Sequence, residues 1–567
     1  MILYHGRSWF MKNGFFLHCN LLTLVLLVLS SFSYVINAKK DFYRAAVLEL
    51  AQITNISYPA PDKLRKHLEI YDIAAKTAAK KEADIIVFPE SGLLPFKKPS
   101  REWLLNFIED IPDPKKAIVN PCEEASQFNN LPILRKLSCL ARDNNIYVVA
   151  NTADFKKCDI NSNCNRNKNS KNCTSCPDDG HFFYNTNVVF DRDGTLVAKY
   201  YKRHLYFEAE MNTPDFPENA YFDTEFGKFT TVICFDLIFK DSVKALEEPS
   251  VLNVAYPTYW FDHTPLIFFA PPFQQAWSMA NKVNLLAANT HHPPTGSLGS
   301  GIYSPNRGAL IYTFNPDGRS KLLISNVPTM QDGLIHAYDL RPRRFLIENG
   351  QAIPEEGEEE PVFQKECLTT ILKEDENSTD YRCDPTSVDR YQFKKLKKNE
   401  GEIEICDNDF CCSLSYQAES MNEDYFFGVT GKDMSFYNVF KFGTQSCFLA
   451  RCESIEGKAC TNYILKSNTV FRRVEIKGNF LNDQILPFAI DSDVRLTNKN
   501  KWSFDQKSRM MYSNFNKQSS LLFFGLHGRL FDRDKNIYDE SNSAPYYSSI
   551  GPLLTLGLSL SFILVTL

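Results

Sequence analysis

The sequence has no excess of basic charge, and this absence already limits its function. Its 63 Lys and Arg residues stand against 68 Asp and Glu residues, for a formal net charge of -5. Nucleic-acid-binding surfaces usually need a basic face, so we expect no nucleic-acid partner. The chain also lacks the compositional bias of disordered or fibrous proteins, because 44% of its 567 residues are hydrophobic and 23% are charged. We therefore expect a globular protein of about two to four domains.

The apolar run near the N-terminus is too short to cross a membrane. Residues 21–29 form its core, Lys12 precedes it, and small or polar residues follow as far as Ala38. The hydrocarbon layer of a bilayer is about 30 Å thick and needs about 20 apolar residues. The pattern predicts a secretory signal peptide over residues 1–38, and a membrane anchor is the alternative.

The C-terminal apolar tail lacks the basic residues that would follow a membrane-spanning segment on its cytoplasmic side. Small residues at 541–544 precede a short spacer, and the tail then runs from Ile550 to the last residue. This three-part pattern predicts a GPI-attachment signal over residues 541–567 that is removed when the lipid is added. A tail anchor or a buried helix is the alternative. The candidate lipid-attachment sites are Ser541, Asn542 and Ser543.

Both ends therefore predict a protein on the extracellular face of the cell membrane, held by a lipid, with a shed or secreted form also expected. Three Asn-x-Ser/Thr sequons agree with this location and predict glycosylation. They lie at Asn55, Asn172 and Asn377.

Apolar runs alternate with helical stretches in the first part of the chain, which predicts an α/β domain over residues 39–345. Two adjacent strands around an Asp-Gly turn at 193–194 predict antiparallel pairing, so the sheet should be mixed. Strands are predicted at 42–50, 83–90, 145–153, 188–202, 228–236, 251–258 and 285–290, and helices at 62–81, 131–144 and 273–283.

The second half of the chain differs in composition. A glutamate-rich stretch at 353–361 predicts a solvated acidic linker over residues 346–361. Residues 362–535 are rich in short β-like runs and cysteines, and they predict a smaller β-rich, disulfide-containing domain. A polar loop at 158–176 carries four cysteines, and in a secreted protein it predicts disulfides in preference to zinc or a redox dithiol.

Three reactive side chains stand at the ends of predicted strands in the first domain. They are Glu90, Lys202 and Cys234. Active-site groups gather at the carboxyl ends of strands in α/β sheets. An ammonium favours a thiolate, and a carboxylate can accept the thiol proton, so the trio fits nucleophilic attack on an amide without a metal or cofactor. Each residue alone is as compatible with a structural role.

Spacing alone leaves a Cys–His arrangement open as well. Four histidines are alternative bases, namely His204, His263, His291 and His292.

Short motifs settle this choice by resemblance. FPESGL (88–93), KYYKRHLYFE (199–208) and ICFDLIF (233–239) resemble the Glu, Lys and Cys signatures of the nitrilase superfamily. YPTYW (256–260), QAWSMANKVNLLAAN (275–289) and GSGIYSPNRG (299–308) resemble its vanin and biotinidase branch. The resemblance implies an α-β-β-α sandwich followed by a vanin-type C-terminal domain.

The resemblance also implies a role for each residue of the trio. Glu90 would be the general base, Lys202 the oxyanion stabiliser and Cys234 the nucleophile. The implied reaction is hydrolysis of a small linear amide through a thioester, with pantetheine giving pantothenate and cysteamine. Biotinyl amides are the alternative substrates, and a catalytically silent ectodomain for adhesion or binding is the alternative function. No oligomeric state follows from the resemblance.

Two stretches have no role assigned by the resemblance. The segment after Lys202 carries the acidic residues Glu208 and Glu210, and the Cys-rich loop at 158–176 is also local. We expect both to shape the rim of the substrate pocket.

The cysteine count agrees with a free nucleophile. The chain has 16 cysteines, and Cys19 would leave with the signal peptide, so an odd number remains. If Cys234 stays free, each domain keeps an even number of cysteines and can form its disulfides internally.

Overall fold

The computed structural model describes residues 41–53, 59–94, 100–160, 175–263, 265–329, 342–356, 389–436, 439–455, 458–482, 484–514 and 520–536. The predicted signal peptide, the GPI-attachment signal with its three candidate sites, and the sequons at Asn55, Asn172 and Asn377 lie outside these residues.

The first domain contains fourteen strands and five α-helices within the described residues. The strands are β1 (Phe42–Ala51), β2 (Ile85–Val87), β3 (Tyr147–Lys157), β4 (His181–Phe190), β5 (Leu196–Tyr201), β6 (Tyr221–Thr224), β7 (Gly227–Thr231), β8 (Val251–Thr258), β9 (Asn284–His291), β10 (Ser300–Ser304), β11 (Gly308–Thr313), β12 (Ser320–Pro328), β13 (Arg343–Glu348) and β14 (Gln351–Glu355). The helices are α1 (Ala60–Lys80), α2 (Arg101–Leu104), α3 (Pro132–Asn144), α4 (Lys240–Lys244) and α5 (Ala270–Asn281).

These strands form two mixed sheets that are joined along one short seam. The first sheet has the order β5-β4-β3-β2-β1-β12-β13-β14, and the second has the order β6-β7-β8-β9-β10-β11. The seam pairs Leu50 with Thr290 and Ala51 with His291. The prediction of a mixed sheet with an antiparallel β4–β5 pair is confirmed.

Alternate side chains of β1 show how the layers are stacked. Ala45 and Val47 belong to the core shared with the second sheet, whereas Ala46 and Leu48 belong to the core under α1 and α3. Successive strand residues point to opposite faces, so an unbroken apolar strand must be covered on both sides. Helix α5 packs against β10 and β11 of the second sheet. The layers are therefore helix, sheet, sheet and helix, which confirms the predicted sandwich.

The second domain is β-rich, as predicted. Its sheets have the orders β15-β18-β21-β28-β24-β25 with β22 beside β21, β16-β17-β23-β27-β26, and β19-β20-β29. The strands are β15 (Gln392–Lys395), β16 (Glu400–Asp407), β17 (Phe410–Ser420), β18 (Tyr425–Thr430), β19 (Met434–Phe436), β20 (Phe440–Phe442), β21 (Thr444–Ile455), β22 (Lys458–Tyr463), β23 (Val470–Gly478), β24 (Ile485–Asp491), β25 (Arg495–Leu496), β26 (Trp502–Asp505), β27 (Met510–Asn514), β28 (Leu521–Arg529) and β29 (Lys535–Asn536).

The predicted linker is wrong over residues 346–355. Strand β13 pairs antiparallel with β12, and β14 pairs with β13, so the first domain extends to Glu355. Phe345 and Ile347 alternate with more exposed residues and enter the core under the helices. The acidic composition beyond Ile353 obscured this alternation. Residues 357–388 lie outside the described residues.

Disulfides form within each domain, as the cysteine count predicts. The described pairs are Cys122–Cys139, Cys158–Cys176, Cys406–Cys411, Cys412–Cys447 and Cys452–Cys460. Cys158 and Cys176 close the polar loop, so the disulfide prediction is confirmed for that pair. Cys234 is free and buried.

The disulfides of the second domain should differ in their contribution to stability. Cys412–Cys447 spans 35 residues and is buried in the β-rich core, whereas Cys406–Cys411 spans 5 residues within one hairpin. We expect the Cys412→Ala/Cys447→Ala variant to lose about 4 kcal/mol of unfolding free energy and the Cys406→Ala/Cys411→Ala control about 2 kcal/mol. Denaturant titration followed by tryptophan fluorescence measures both. A greater loss in the hairpin variant would contradict this ranking.

Candidate active site

The ends of three strands bring the predicted trio together. Strands β1, β2 and β3 are parallel, and β5 runs in the same direction because β4 is antiparallel to both β3 and β5. In the second sheet, β7, β8 and β9 are parallel, and β9 is parallel to β1 across the seam. Glu90, Lys202 and Cys234 follow β2, β5 and β7, so all three lie at the same edge of the sandwich.

Cys234 begins a short 3₁₀ helix, Cys234–Ile238, and is not the end of a strand. Strand β7 ends at Thr231, which corrects the strand predicted over 228–236. The φ angle of Cys234 is +42°, in the left-handed region, which a regular strand cannot contain. The chain turns sharply at this residue and brings the thiol into the buried edge of the site.

Two further non-glycine residues beside the site adopt left-handed backbone angles. Ser91 follows Glu90 and has φ of +56°, and Phe207 has φ of +52° and precedes Glu208. A bulky residue such as Phe207 adopts this conformation only when its surroundings hold it there. The strained backbone conformations therefore lie at or next to the residues whose polar side chains form the site.

Glu90 is held as a hydrogen-bond acceptor. Its Oε1 accepts from Lys202 Nζ at 2.7 Å and from Asn185 Nδ2 at 2.8 Å, and its Oε2 accepts from the Tyr259 backbone N–H at 2.8 Å. The side chain is almost fully buried. Three donors therefore fix the orientation of this carboxylate.

Lys202 lies between two carboxylates. Its ammonium donates to Glu90 at 2.7 Å and also to Glu208, and the side chain is only 1% exposed. Burial alone would lower the pKa of Lys202, but Glu208, Glu90 and Cys234 together raise that pKa well above its ordinary value. Lys202 is therefore a permanent ammonium at neutral pH.

Cys234 lies in surroundings that disfavour its thiolate form. Burial is the largest influence and raises the pKa of Cys234, and the negative charge of Glu90 raises it further. Lys202 acts in the opposite direction, as do hydrogen bonds from the Thr258 hydroxyl and the Tyr259 backbone N–H. Glu90, Lys202 and the Tyr259 N–H that donates to Glu90 therefore all influence the ionisation of this thiol.

Glu208 and Asn185 complete the site and were not assigned to it from the sequence. Asn185 Nδ2 donates to Glu208 at 2.7 Å as well as to Glu90, while its Oδ1 accepts from Asn151 at 2.7 Å. Glu208, expected at the pocket rim, reaches inward to Lys202. Its segment has no regular structure, so spacing gave no signal. The asparagines in otherwise apolar strands were a usable signal, since buried polar groups need partners.

Asp236 connects the 3₁₀ helix that begins at Cys234 to the segment that follows Lys202. Its Oδ1 accepts from the backbone N–H groups of Arg203 and His204 at 3.2 Å and 2.9 Å. Its Oδ2 accepts from the Tyr200 hydroxyl at 2.9 Å and from Ile233 N–H at 3.3 Å. One buried carboxylate therefore fixes the helix of Cys234 relative to the chain on both sides of Lys202.

The alternative histidine bases have other recorded partners. His204 Nε2 lies 3.1 Å from Asp241, and its ring stacks on Phe239. His291 is fully buried, and its Nδ1 lies 2.7 Å from Glu49. His263 Nε2 lies 3.4 Å from the Tyr206 hydroxyl, and His292 Nδ1 lies 2.9 Å from the Thr295 hydroxyl.

Within the described ranges, no group of three or more His, Cys, Asp or Glu side chains is arranged to hold a metal ion. The chemistry of the site is that of a thiol, a carboxylate and a fixed ammonium.

Comparisons with known proteins find a family match for each of the two domains. Residues 44–312 match the carbon-nitrogen hydrolase family, and residues 382–534 match the vanin C-terminal domain. Pantetheine hydrolase VNN2 from Homo sapiens is 33% identical over 533 residues, which cover 91% of this chain and 94% of that protein. Pantetheinase from Sus scrofa is 31% identical, covering 87% and 88%, and biotinidase from Takifugu rubripes is 31% identical, covering 87% and 95%. The chain therefore belongs to the carbon-nitrogen hydrolase family, in the branch that carries a vanin C-terminal domain.

Proposed function

We propose that this protein hydrolyses a small linear amide through a thioester on Cys234, and that pantetheine is its substrate. The observation that carries the proposal is the buried free thiol of Cys234, whose pKa is influenced by Glu90, by Lys202 and by the Tyr259 N–H that donates to Glu90. This arrangement supplies a nucleophile, a base and a fixed positive charge at one place.

The first half of the reaction transfers the acyl group to the enzyme. Glu90 accepts the thiol proton as the sulfur attacks the amide carbonyl carbon, and the carbonyl oxygen becomes an oxyanion beside the Lys202 ammonium. Glu90 then gives its proton to the amide nitrogen. The C–N bond breaks, the amine leaves, and a thioester remains on Cys234.

The second half regenerates the enzyme. Glu90 accepts a proton from water as the water oxygen attacks the thioester carbonyl, and Lys202 again stabilises the oxyanion. The C–S bond breaks, the acid leaves, and the proton returns to the sulfur. Across both halves, one amide and one water give one acid and one amine.

Glu208 and Asn185 keep the charges in place. The Lys202 ammonium contacts both carboxylates, so it cannot rotate away from the reacting carbonyl without leaving a buried charge unpaired. Asn185 bridges the same two carboxylates. The positive charge that would stabilise the oxyanion is thus in place before substrate binds. Electrostatic catalysis depends on charges that are oriented in advance in this way.

The identity of the amide rests on the relatives. Two of the three named above are a pantetheine hydrolase and a pantetheinase, and the third is a biotinidase. Pantetheine is an amide of pantothenate with cysteamine, so its hydrolysis gives that acid and that amine. Biotinyl amides remain the second candidate because the biotinidase similarity has comparable extent.

We also propose an extracellular location with a GPI lipid anchor. The two terminal signals carry this proposal, and the disulfides of both domains agree with an oxidising compartment. In the part of the chain that the structure describes, no helix is long and apolar enough to span a bilayer.

Substrate and nucleophile are tested together with the purified ectodomain. We expect it to release cysteamine from pantetheine with a higher kcat/KM than it releases lysine from biocytin. Cys234→Ala should abolish both reactions, and Cys139→Ala/Cys122→Ala, which removes a distant disulfide, should retain activity. Turnover by the Cys234→Ala variant would overturn the assigned nucleophile, and a preference for biocytin would overturn the substrate.

Glu208→Gln tests the charge that holds Lys202. Because Glu208 raises the pKa of Lys202, its removal should lower that pKa and shift the alkaline limb of the pH–kcat profile to lower pH. We expect kcat to fall by about tenfold to a hundredfold.

The matched control for this variant is Glu210→Gln, two residues further along. Arg101 binds the backbone carbonyl of Glu210 and not its carboxylate, so the control should keep the wild-type profile. If both variants behaved alike, Glu208 would have no specific role in holding Lys202.

A further inference from the structure

The second domain packs directly on the helix that carries Cys234. The ring of Phe235, the residue after the nucleophile, lies 5.0 Å from Phe440, 6.1 Å from Phe442 and 6.4 Å from Phe436 between ring centroids. These three phenylalanines belong to the hairpin β19–β20 of the second domain. The nucleophile helix is therefore covered by another domain and not only by its own sandwich.

Phe239, just beyond the nucleophile helix, continues this contact. Its ring lies 5.5 Å from Phe442 and 6.3 Å from Phe440, and in both pairs the rings are nearly perpendicular. Edge-to-face aromatic pairs at such distances are attractive and depend on orientation. Phe235 and Phe239 thus contact the same hairpin at both ends of the helix.

A polar contact crosses the interface at the last residue of the helix. Arg529, at the end of β28, donates from Nη2 to the backbone carbonyl of Ile238 at 3.2 Å. Both residues are buried. The last carbonyls of a helix have no partner within it, and a cationic side chain can satisfy one of them. Here that side chain comes from the second domain.

The guanidinium of Arg529 is fixed by its own domain. Nη2 also donates to Asp534 at 2.7 Å, Nη1 donates to the Gly443 carbonyl at 2.7 Å, and the guanidinium lies 5.0 Å from the Phe442 ring centroid. Arg529 therefore presents a rigid donor to Ile238. Because this donor is fixed, the position of the helix that begins with Cys234 depends on the position of the second domain.

We propose that Arg529 is a positioning residue for Cys234, so that the second domain is part of the catalytic device. The inference rests on the proposed role of Cys234 as nucleophile. Asp236 fixes the middle of the helix from within the sandwich, and Arg529 fixes its end from outside. Without the Arg529 contact, the strained turn at Cys234 relaxes and the sulfur leaves its line of attack.

The test compares Arg529→Gln and Arg529→Lys with the wild-type ectodomain. We expect Arg529→Gln to lower kcat by about tenfold to a hundredfold while KM changes little, because small displacements of a reacting group have effects of this size. The rate of Cys234 alkylation by iodoacetamide, followed by peptide mass spectrometry, should fall in parallel. Arg529→Lys keeps the charge beside Asp534 but loses the planar donor, and it should show a smaller fall in both rates.

Asp532→Asn is the matched control. Asp532 forms an ion pair across this interface, with Lys240 at 2.8 Å, but its side chain is exposed and Lys240 lies beyond the helix that begins at Cys234. The control should retain the wild-type kcat and alkylation rate. Thermal unfolding of each variant shows whether it is folded, and if Arg529→Gln fails to fold, Arg529→Lys and Phe440→Leu replace it.

The proposal is overturned if folded Arg529 variants keep kcat and the alkylation rate within about twofold of wild type, or if only the proportion of folded protein falls. Failure of this inference is separate from failure of the proposed function. If Cys234→Ala hydrolysed the substrate, the nucleophile would be wrong, whereas normal activity of the Arg529 variants would leave the nucleophile assignment intact.

Discussion

A buried ammonium between two carboxylates is the constraint around which this domain is organised. Lys202 is 1% exposed and contacts Glu90 and Glu208, so its charge is removed from water and must be balanced by protein. An isolated charge in this position would be prohibitively costly, and each of the three groups depends on the other two. Because the ammonium cannot move away, the site holds positive charge where an oxyanion would form.

The fold brings these charged groups together because several strands end at the same edge of the sandwich. Glu90 follows β2 and Lys202 follows β5, while Cys234 follows β7 in the other sheet, and the seam between β1 and β9 sets the two sheets side by side. Asn185, within β4, donates to both carboxylates and orients them. Asp236 connects the helix that begins at Cys234 to the Lys202 segment, and Arg529 donates to the last carbonyl of that helix from the second domain.

Periodicity predicted β1 and α1, because β1 contains a run of mostly apolar residues and α1 repeats its buried residues at helical spacing. The trio of Glu90, Lys202 and Cys234 followed from motif resemblance. The 3₁₀ turn at Cys234 was not predicted, because the left-handed backbone conformation of a cysteine cannot be recognised within an apolar run of sequence. The contact of Glu208 with Lys202 and the contact of Arg529 with Ile238 are tertiary contacts. Neither can be predicted from the spacing of residues along the chain.

The central claim is that the acyl group passes through Cys234, and the most direct test is to trap it there. Wild-type ectodomain mixed rapidly with excess pantetheine, quenched in acid and digested should yield the Cys234 peptide bearing a pantothenoyl thioester, detected by mass spectrometry. The label should disappear as substrate is exhausted and should be removed by hydroxylamine. An acyl group on another residue, or complete hydrolysis with no acylated Cys234 peptide at any time, would contradict the account.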